Sequence, residues 1–440
     1  MLPRDRALWA LAIVLCLLLL TAPALWNGFP LLQYDTGGYL ARWYEGYLVP
    51  SRAVAYGLLL TAGAGLNFWP VIVLQSALTV WVIHLLLRAH GYGRPGVLLC
   101  VVAALTAATT LPWLTAILLT DIFCGLSVVA LYLVMLRPQR LTTAERIGLI
   151  VLIAFGVATH SATFAVVAGL ALCAIAARVT IRRGIKFTAL RDGAIAIALG
   201  AVLVFAADLA VSGQFAWTPG GFALSFGRML QDGIVARYLD DHCPDARLRL
   251  CAYRAELPRD ADRFFWASPI FDSLGRFAGL GGEMRSIALA SVGDYPAMQL
   301  KSAAADTAEQ IVAVHTGEGV LTPLWHTAGI MQRYTPWVLP QMQAARQQRG
   351  ELSFTAINAL HYPLALLALA ALPVVVLLRK RACAYNRDLA VVVLLAVLGN
   401  AAVCGVFSDP HDRYGARIVW LASLTGLMVV VRATRPQKFD

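Results

Sequence analysis

The sequence predicts an all-α integral membrane protein: about ten transmembrane helices, with a mostly helical extracytoplasmic insert between spans seven and eight. Three observations carry this prediction. Of 440 residues, 59% are hydrophobic and only 14% are charged, with a mean hydropathy of +0.68, a balance that a water-exposed surface does not tolerate. Several apolar runs approach the ~20 residues needed to cross a bilayer. The basic residues gather on alternate turns between those runs, as the positive-inside rule requires.

The first run, 8–25, follows Arg4 and Arg6 and ends in Thr21, Ala22, Pro23 and Ala24, an arrangement shared with secretory leaders. It is read as an uncleaved anchor, because a first span keeps the alternation of all later loops correct. The first outer loop, 26–67, contains Tyr34, Asp35, Tyr39, Trp43, Tyr44 and Tyr47. Within it, Gly38 to Leu48 reads as a short helix in the membrane interface, where Tyr and Trp rings are favoured. Val54 to Gly65 is apolar but short, which suits a re-entrant or interfacial segment. Spans two to seven are expected near 68–87, 97–114, 120–136, 147–160, 162–177 and 193–211, and spans eight to ten near 356–378, 389–407 and 416–431. The chain therefore divides into an N-terminal membrane domain, 1–211, an insert, 212–355, and a C-terminal membrane domain, 356–440. In the insert, Gly282 to His315 has only Gly293 and Pro296 as breakers and reads as helical. No internal repeat or low-complexity tract is found.

The formal net charge of +11 invites a nucleic-acid reading until the charges are located. With the N-terminus inside, 19 Lys and Arg fall in cytoplasmic segments and four, Arg42, Arg52, Arg413 and Arg417, in short outer loops. The other 13 lie in the insert, offset there by 14 acidic residues. The excess is therefore an orientation signal that places both termini in the cytoplasm, and a nucleic-acid role has no support. A multi-pass membrane protein follows, with a bacterial inner membrane as its expected location.

Of eight cysteines, only Cys243 and Cys251 share the insert, and an oxidising compartment would permit a local disulfide between them. His242 is adjacent, yet no fourth ligand has zinc spacing. A divalent cation would be compatible with the carboxylates, but no spacing supports one; no metal site and no cofactor is firmly implied.

Ionisable groups in or beside a membrane are costly and are functional candidates by default. Under this topology they share the outer face: Asp35 after span one, Asp121 at the start of span four, His160 between spans five and six, Asp208 closing span seven, and the loop Ser408 to Arg417. Each has a plainer reading. Asp35 opens Asp-Thr-Gly-Gly, a good turn or helix cap, and Asp121 follows Thr120 as an N-cap would. His160 with Ser161 suits a polar turn, and Asp208 a solvated helix end in the interface. Arg413 and Arg417 run against the charge rule, so they bind something, whether a substrate or Asp409 and Asp412 nearby. A carboxylate can take a proton from an attacking hydroxyl, and arginine can hold a leaving phosphate.

Four short matches, in this order, resemble the glycosyltransferase C superfamily. They are Tyr34-Asp35-Thr36-Gly37-Gly38-Tyr39-Leu40 with the Pro50-Ser51-Arg52 to Tyr56-Gly57-Leu58-Leu59-Leu60 stretch; Leu119-Thr120-Asp121-Ile122-Phe123 leading into Ala130-Leu131-Tyr132-Leu133; Gly156-Val157-Ala158-Thr159-His160-Ser161; and Asp412-Arg413-Tyr414. They cover residues 8 to 210 and 356 to 432, and the large outer insert is similar to the layout of protein O-mannosyltransferases. The chain departs from the pattern once. Many members carry an adjacent acidic pair in the first loop, whereas Asp35 stands alone and Glu45 follows ten residues later, so either Asp35 acts singly or Asp121 supplies the second carboxylate. The resemblance implies a hexosyl- or pentosyltransferase that takes a sugar from a polyprenyl-phosphate donor to an envelope glycan, lipid or protein acceptor. Asp35 and Asp121 would be catalytic, and His160, Arg413, Tyr414 and Arg417 would bind substrate. Two other readings compete: an envelope polysaccharide polymerase or ligase, resting on insert arginines such as Arg276 or Arg285, and a non-enzymatic transporter or assembly protein.

Overall fold

A computed structural model describes residues 3–45, 52–180, 184–217, 221–320, 324–378 and 381–434. Tyr47, Pro50 and Ser51 of the first loop, and the expected cytoplasmic residues Arg182, Arg183, Arg379, Lys380, Arg435 and Lys438, lie outside them. The described chain is helical throughout, with one isolated bridge between Leu31 and Ile117 and no strand.

Helix α1 (Pro3–Asn27) packs against α4 (Trp69–Ala89), α5 (Pro95–Ala108) and α6 (Leu111–Ala116). Between α1 and α4 lie α2 (Tyr34–Glu45) and α3 (Val54–Ala64). The 11 residues of α3 extend roughly 16 Å at 1.5 Å per residue, too short to cross. α2 begins four residues ahead of the expected Gly38. The expected span at 97–114 is two helices, because Thr109 takes an extended backbone and its hydroxyl accepts the Leu111 N–H, ending α5 and starting α6. α7 (Ile122–Leu136) is buried along its entire length up to Met135. It forms the axis about which α8 (Thr143–Thr159), α9 (Ser161–Thr180) and α10 (Phe187–Ser212) pack. A capping box of Thr142 and Glu145 starts α8.

The insert divides in two. Its first part, α11 (Gly221–Gln231), α12 (Ile234–His242), α13 (Ala261–Ala267), α14 (Pro269–Ser273) and α15 (Arg276–Asp294), encloses its own core around Phe226, Phe264, Phe271, Leu280 and Ile287. Cys243 and Cys251 are disulfide-bonded there, Cα atoms 5.6 Å apart. Pro296 then starts α16 (Pro296–Val312), which lies along α20 (Arg381–Phe407). α17 (Trp325–Tyr334) packs on α2, and α18 (Leu339–Ala344) follows. α19 (Thr355–Leu377), α20 and α21 (Asp412–Thr434) complete the bundle.

Seven of these helices, α1, α4, α9, α10, α19, α20 and α21, contain stretches long and apolar enough to cross a membrane. Their outward faces are apolar as well, for example Leu11, Val14 and Leu18 on α1, Val202 on α10 and Leu367 on α19. An exposed hydrocarbon surface of this extent belongs in a bilayer. This is an all-α, multi-pass membrane protein.

Charge is segregated to the two ends. At one end Arg88 pairs with Glu145, Arg146 with Asp192 and Arg137 with Asp388, tying α4, α8, α10, α7 and α20 together. At the other end Arg42 of α2 pairs with Asp208 of α10 at 2.7 Å, with side chains 0% and 5% exposed. Asp208 is therefore not the solvated helix end expected from its position in sequence; α2 folds over it and supplies a cation. Arg42→Met should leave Asp208 buried without its cation and cost about 3–5 kcal/mol, read as a lowered melting temperature in detergent. Arg42→Met with Asp208→Leu should recover much of that loss, and recovery failing would show that the pair does more than neutralise charge.

Candidate functional site

At the Arg42 end of the bundle several helix termini converge. Asp35 lies in the first turn of α2, Arg52 just ahead of α3, Asp121 immediately before α7, and Arg413 in the first turn of α21. Because α21 begins at Asp412 rather than near 416, Arg413, Tyr414 and Arg417 are helical residues, and Arg413 and Arg417 stand one turn apart on the same face.

Arg413 holds two carboxylates. Its Nη1 donates to Asp35 Oδ2 at 2.5 Å and its Nε to Asp121 Oδ2 at 2.8 Å. Arg52 donates to the second Asp35 oxygen. The capping alternatives therefore fail: Asp121 makes no cap bond to α7, and both Asp35 oxygens face arginines. The alternative pairing of Arg413 with Asp409 or Asp412 fails too, since those residues bond His411 and His315 instead. Burial would raise the Asp35 pKa, but the Arg52 and Arg413 guanidiniums reverse this and hold the carboxyl well below its usual range. Asp35 and Arg413 each keep 13% of their side-chain surface, and Arg52 20%, so solvent reaches the group from one side.

The remaining expected residues divide. His160 sits in the turn between α8 and α9, where it accepts the Ala162 N–H. Burial and the charges of Arg417, Arg413 and Arg52 hold its imidazole neutral. Tyr414 lies between the two arginines, its ring centroid 5.7 Å from the Arg413 guanidinium and 5.5 Å from that of Arg417. Arg417, expected at the substrate, is fully buried one turn deeper. Its Nε and Nη2 donate to Asn400 Oδ1 of α20 at 3.0 and 2.6 Å. Its Nη1 stops 3.8 Å from Asp121 Oδ1, and neither atom has a hydrogen-bond partner among the described residues. Arg417 backs Asp121 from inside the bundle.

A shallow cleft opens beside Asp121 and Arg413, lined also by Gln33, Trp113, Glu318 and Phe354. Its wall is the segment 313–320, which returns from α16 and straps the start of α21. Glu318 Oε2 accepts the Arg413 backbone N–H at 2.6 Å, capping the helix in place of a local residue, and Glu318 Oε1 meets His411 Nδ1 at 2.7 Å. His411 Nε2 lies 3.2 Å from Asp409, and Asp412 Oδ1 bonds both the backbone and the ring of His315 at 2.8 Å. Gly415 permits this approach, since a Cβ there would stand 2.0 Å from the Ala313 carbonyl oxygen. Gly317 takes a φ of +101°, which brings its backbone flat against the Phe354 ring.

Sequence reasoning missed Arg52, Glu318 and His411. Arg52 carried the signal used for Arg413, an arginine against the charge bias. His411 lay within the outer-face loop Ser408 to Arg417 but was not singled out from it; Glu318 carried no signal, because nothing in the insert indicated where its chain returns. Among the described residues no cluster of His, Cys, Asp and Glu is arranged to hold a metal ion. No protein-family model, curated protein or solved structure matches the chain.

Burial opposes a charge on His411, but hydrogen bonds to Asp409 and Glu318 override it and push its pKa up from 6.5 to about 12. Burial raises and His411 more strongly lowers the values of Glu318 and Asp409, below 4.5 and 3.8 respectively. The cation's contribution to stability is complete below pH 6.5 and is lost as pH rises toward about 12; those of the carboxylates are complete above 4.5 and 3.8 and are lost as pH falls. The melting-temperature gap between wild type and His411→Gln should therefore be widest between pH 4.5 and 6.5 and narrow on both sides. A gap that stays flat from about pH 4 to about pH 9 removes this electrostatic account.

Proposed function

We propose that the chain is an integral-membrane glycosyltransferase that moves a sugar from a polyprenyl-phosphate donor to a cell-envelope acceptor at the outer face of a bacterial inner membrane. The observation that carries the reading is Arg413 bridging Asp35 and Asp121, with Arg52 on the far oxygen of Asp35. Two cations beside an ionised carboxylate, open to solvent on one side, are the parts an inverting transfer needs.

In this reading the donor phosphate draws Arg413 and Arg52 to its own oxygens, since arginine binds phosphate bidentately. Asp35, relieved of the cations that depress its pKa, becomes a competent base. It takes the proton of the acceptor hydroxyl as that oxygen attacks the anomeric carbon. The bond from that carbon to the phosphate oxygen breaks, and its electron pair leaves with the phosphate, where the guanidiniums stabilise the developing charge. Asp121, backed by Arg417, fixes the Arg413 guanidinium. Neutral His160 shapes the pocket without adding to its positive charge.

The same reading takes the bundle as ten spans with both termini cytoplasmic. Seven long helices alone, an odd number, would put the termini on opposite sides. Adding α5, α7 and α8 restores an even count. These have 14, 15 and 17 residues, the first two shorter than a lipid-facing span needs and the third at the lower limit. The non-helical backbone between α5 and α7 is buried in protein, where such backbone is tolerated at membrane depth. The basic residues then face the cytoplasm.

Asp35→Asn, tested at normal membrane levels, should reduce transfer by about 10²–10⁴-fold. The assay is mass spectrometry of lipid-linked sugars and envelope glycans in a deletion strain carrying the variant. Full retention of product overturns the assignment of the base. Arg413→Lys keeps the charge but lacks the planar fork that holds two carboxylates and a phosphate in fixed geometry, so it should raise the donor KM and lower kcat; an unchanged KM for the donor argues against phosphate at Arg413.

A further inference from the structure

The second half of the insert carries an unexplained surface. Trp325 is 81% exposed and Trp337 54% exposed, although tryptophan is among the residues most stabilised by burial. Both belong to a layer of short helices that covers the Asp35 end of the bundle. Trp337 Nε1 donates to the Ala64 carbonyl at the end of α3, and Asn67, just before α4, donates to Gln341 of α18 at 2.7 Å. Gln341 in turn donates to the Gly28 carbonyl, and the Arg346 backbone N–H to the Asn27 carbonyl, where α1 ends. α18 and the turn after it are thus hydrogen-bonded directly to the ends of two long apolar helices, α1 and α4.

α17 joins the layer through α2. The Gly37 N–H donates to Thr327 Oγ1, Tyr334 stacks on Tyr44 with centroids 4.7 Å apart, and Tyr334 donates to Glu45. The exposed aromatics of the layer also include Trp26 and Tyr34, 49% and 51% exposed. Trp26 closes α1, whose outward face is a row of exposed Leu and Val residues. The aromatic surface therefore continues the lipid-facing surface at the level where the long helices end. The first part of the insert differs in having a core of its own, into which Phe226, Phe264, Phe265 and Phe271 turn, although Phe222 and Trp266 remain exposed there.

We propose that α17 and α18 lie in the headgroup zone of the bilayer, with Trp325, Trp337 and Trp26 as an aromatic collar, and that the occupant of this surface is lipid. The insert then has two environments, an aqueous body over 221–295 and a membrane-bound return over 324–354. A consequence is that Asp35, two residues from Gly37, is held at headgroup depth. That depth selects an amphiphile whose polar group resides there over a freely soluble substrate. The placement concerns where the layer sits and does not depend on the reaction at Asp35.

The test uses the full chain in nanodiscs of phosphatidylethanolamine and phosphatidylglycerol, with p-benzoylphenylalanine in place of Trp325 or, separately, Trp337. After irradiation, mass spectrometry should find lipid adducts at both positions, as at Leu18 in the middle of α1. None is expected at Arg247 in the aqueous body, whose side chain is 89% exposed. Trp325 is 81% exposed and its ring meets that of the neighbouring His326, so its replacement should leave folding intact. Adducts at Leu18 with none at 325 and 337 overturn the proposal. So does crosslinking of 325 to a second copy of the chain, which would make the surface a self-interface.

Discussion

The structure is organised around one guanidinium. Arg413 is mostly withdrawn from water at the end of an apolar bundle, where an isolated charge is prohibitive, and it is held by carboxylates from two distant parts of the chain. Asp35 and Asp121 face the complementary problem and share the same solution. Each partner leaves the others with an uncompensated charge if removed, so the relative positions of α2, α7 and α21 are fixed by electrostatic necessity as well as by packing. The Arg42–Asp208 pair repeats the principle a short distance away, where Arg42 Nε also donates to the Arg52 carbonyl at 3.1 Å. The two ion-paired groups are thus braced against each other through the backbone ahead of α3.

The segment 313–320 adds a constraint of another kind. Helix N-termini expose backbone donors that usually find a local cap. α21 instead takes its cap from Glu318, a residue of the insert, and positions His411 between two carboxylates. The orientation of the arginine helix therefore depends on a loop that arrives from outside the membrane bundle, and the proposed chemistry inherits that dependence.

How legible this was in the sequence depended on the kind of signal. Hydropathy and basic-residue spacing gave the all-α membrane character, and the helices α9, α10 and α19 lie close to where periodicity put them. Averaged hydropathy found α21 but missed its first turn, because Asp412 and Arg413 look like loop residues until their partners are known. It failed at 97–114 as well, where Thr109 interrupts a run that is apolar throughout. Asp35, Asp121 and Arg413 were singled out for being costly where they stand, and they do come together. Asp208 was misjudged because its partner Arg42 sits 166 residues away, and nothing local reports a contact across that separation; Arg52, by contrast, carried the same charge signal as Arg413 and was passed over. Beyond its helical content and the Cys243–Cys251 disulfide the insert was opaque, since its division into a self-contained body and a strap is a matter of tertiary packing.

The separation along the chain between the bridging groups also bears on biogenesis. Asp35 precedes Arg413 by 378 residues. A ribosome delivers Asp35, Asp121 and the whole insert before it delivers the cation that joins the two carboxylates, and Glu318 awaits the same helix. A nascent or truncated chain lacking α21 holds acidic groups at the end of the bundle with only part of their counter-charge, a state that membrane quality-control proteases could distinguish from the finished protein. The site is therefore completed only when α21 has been made.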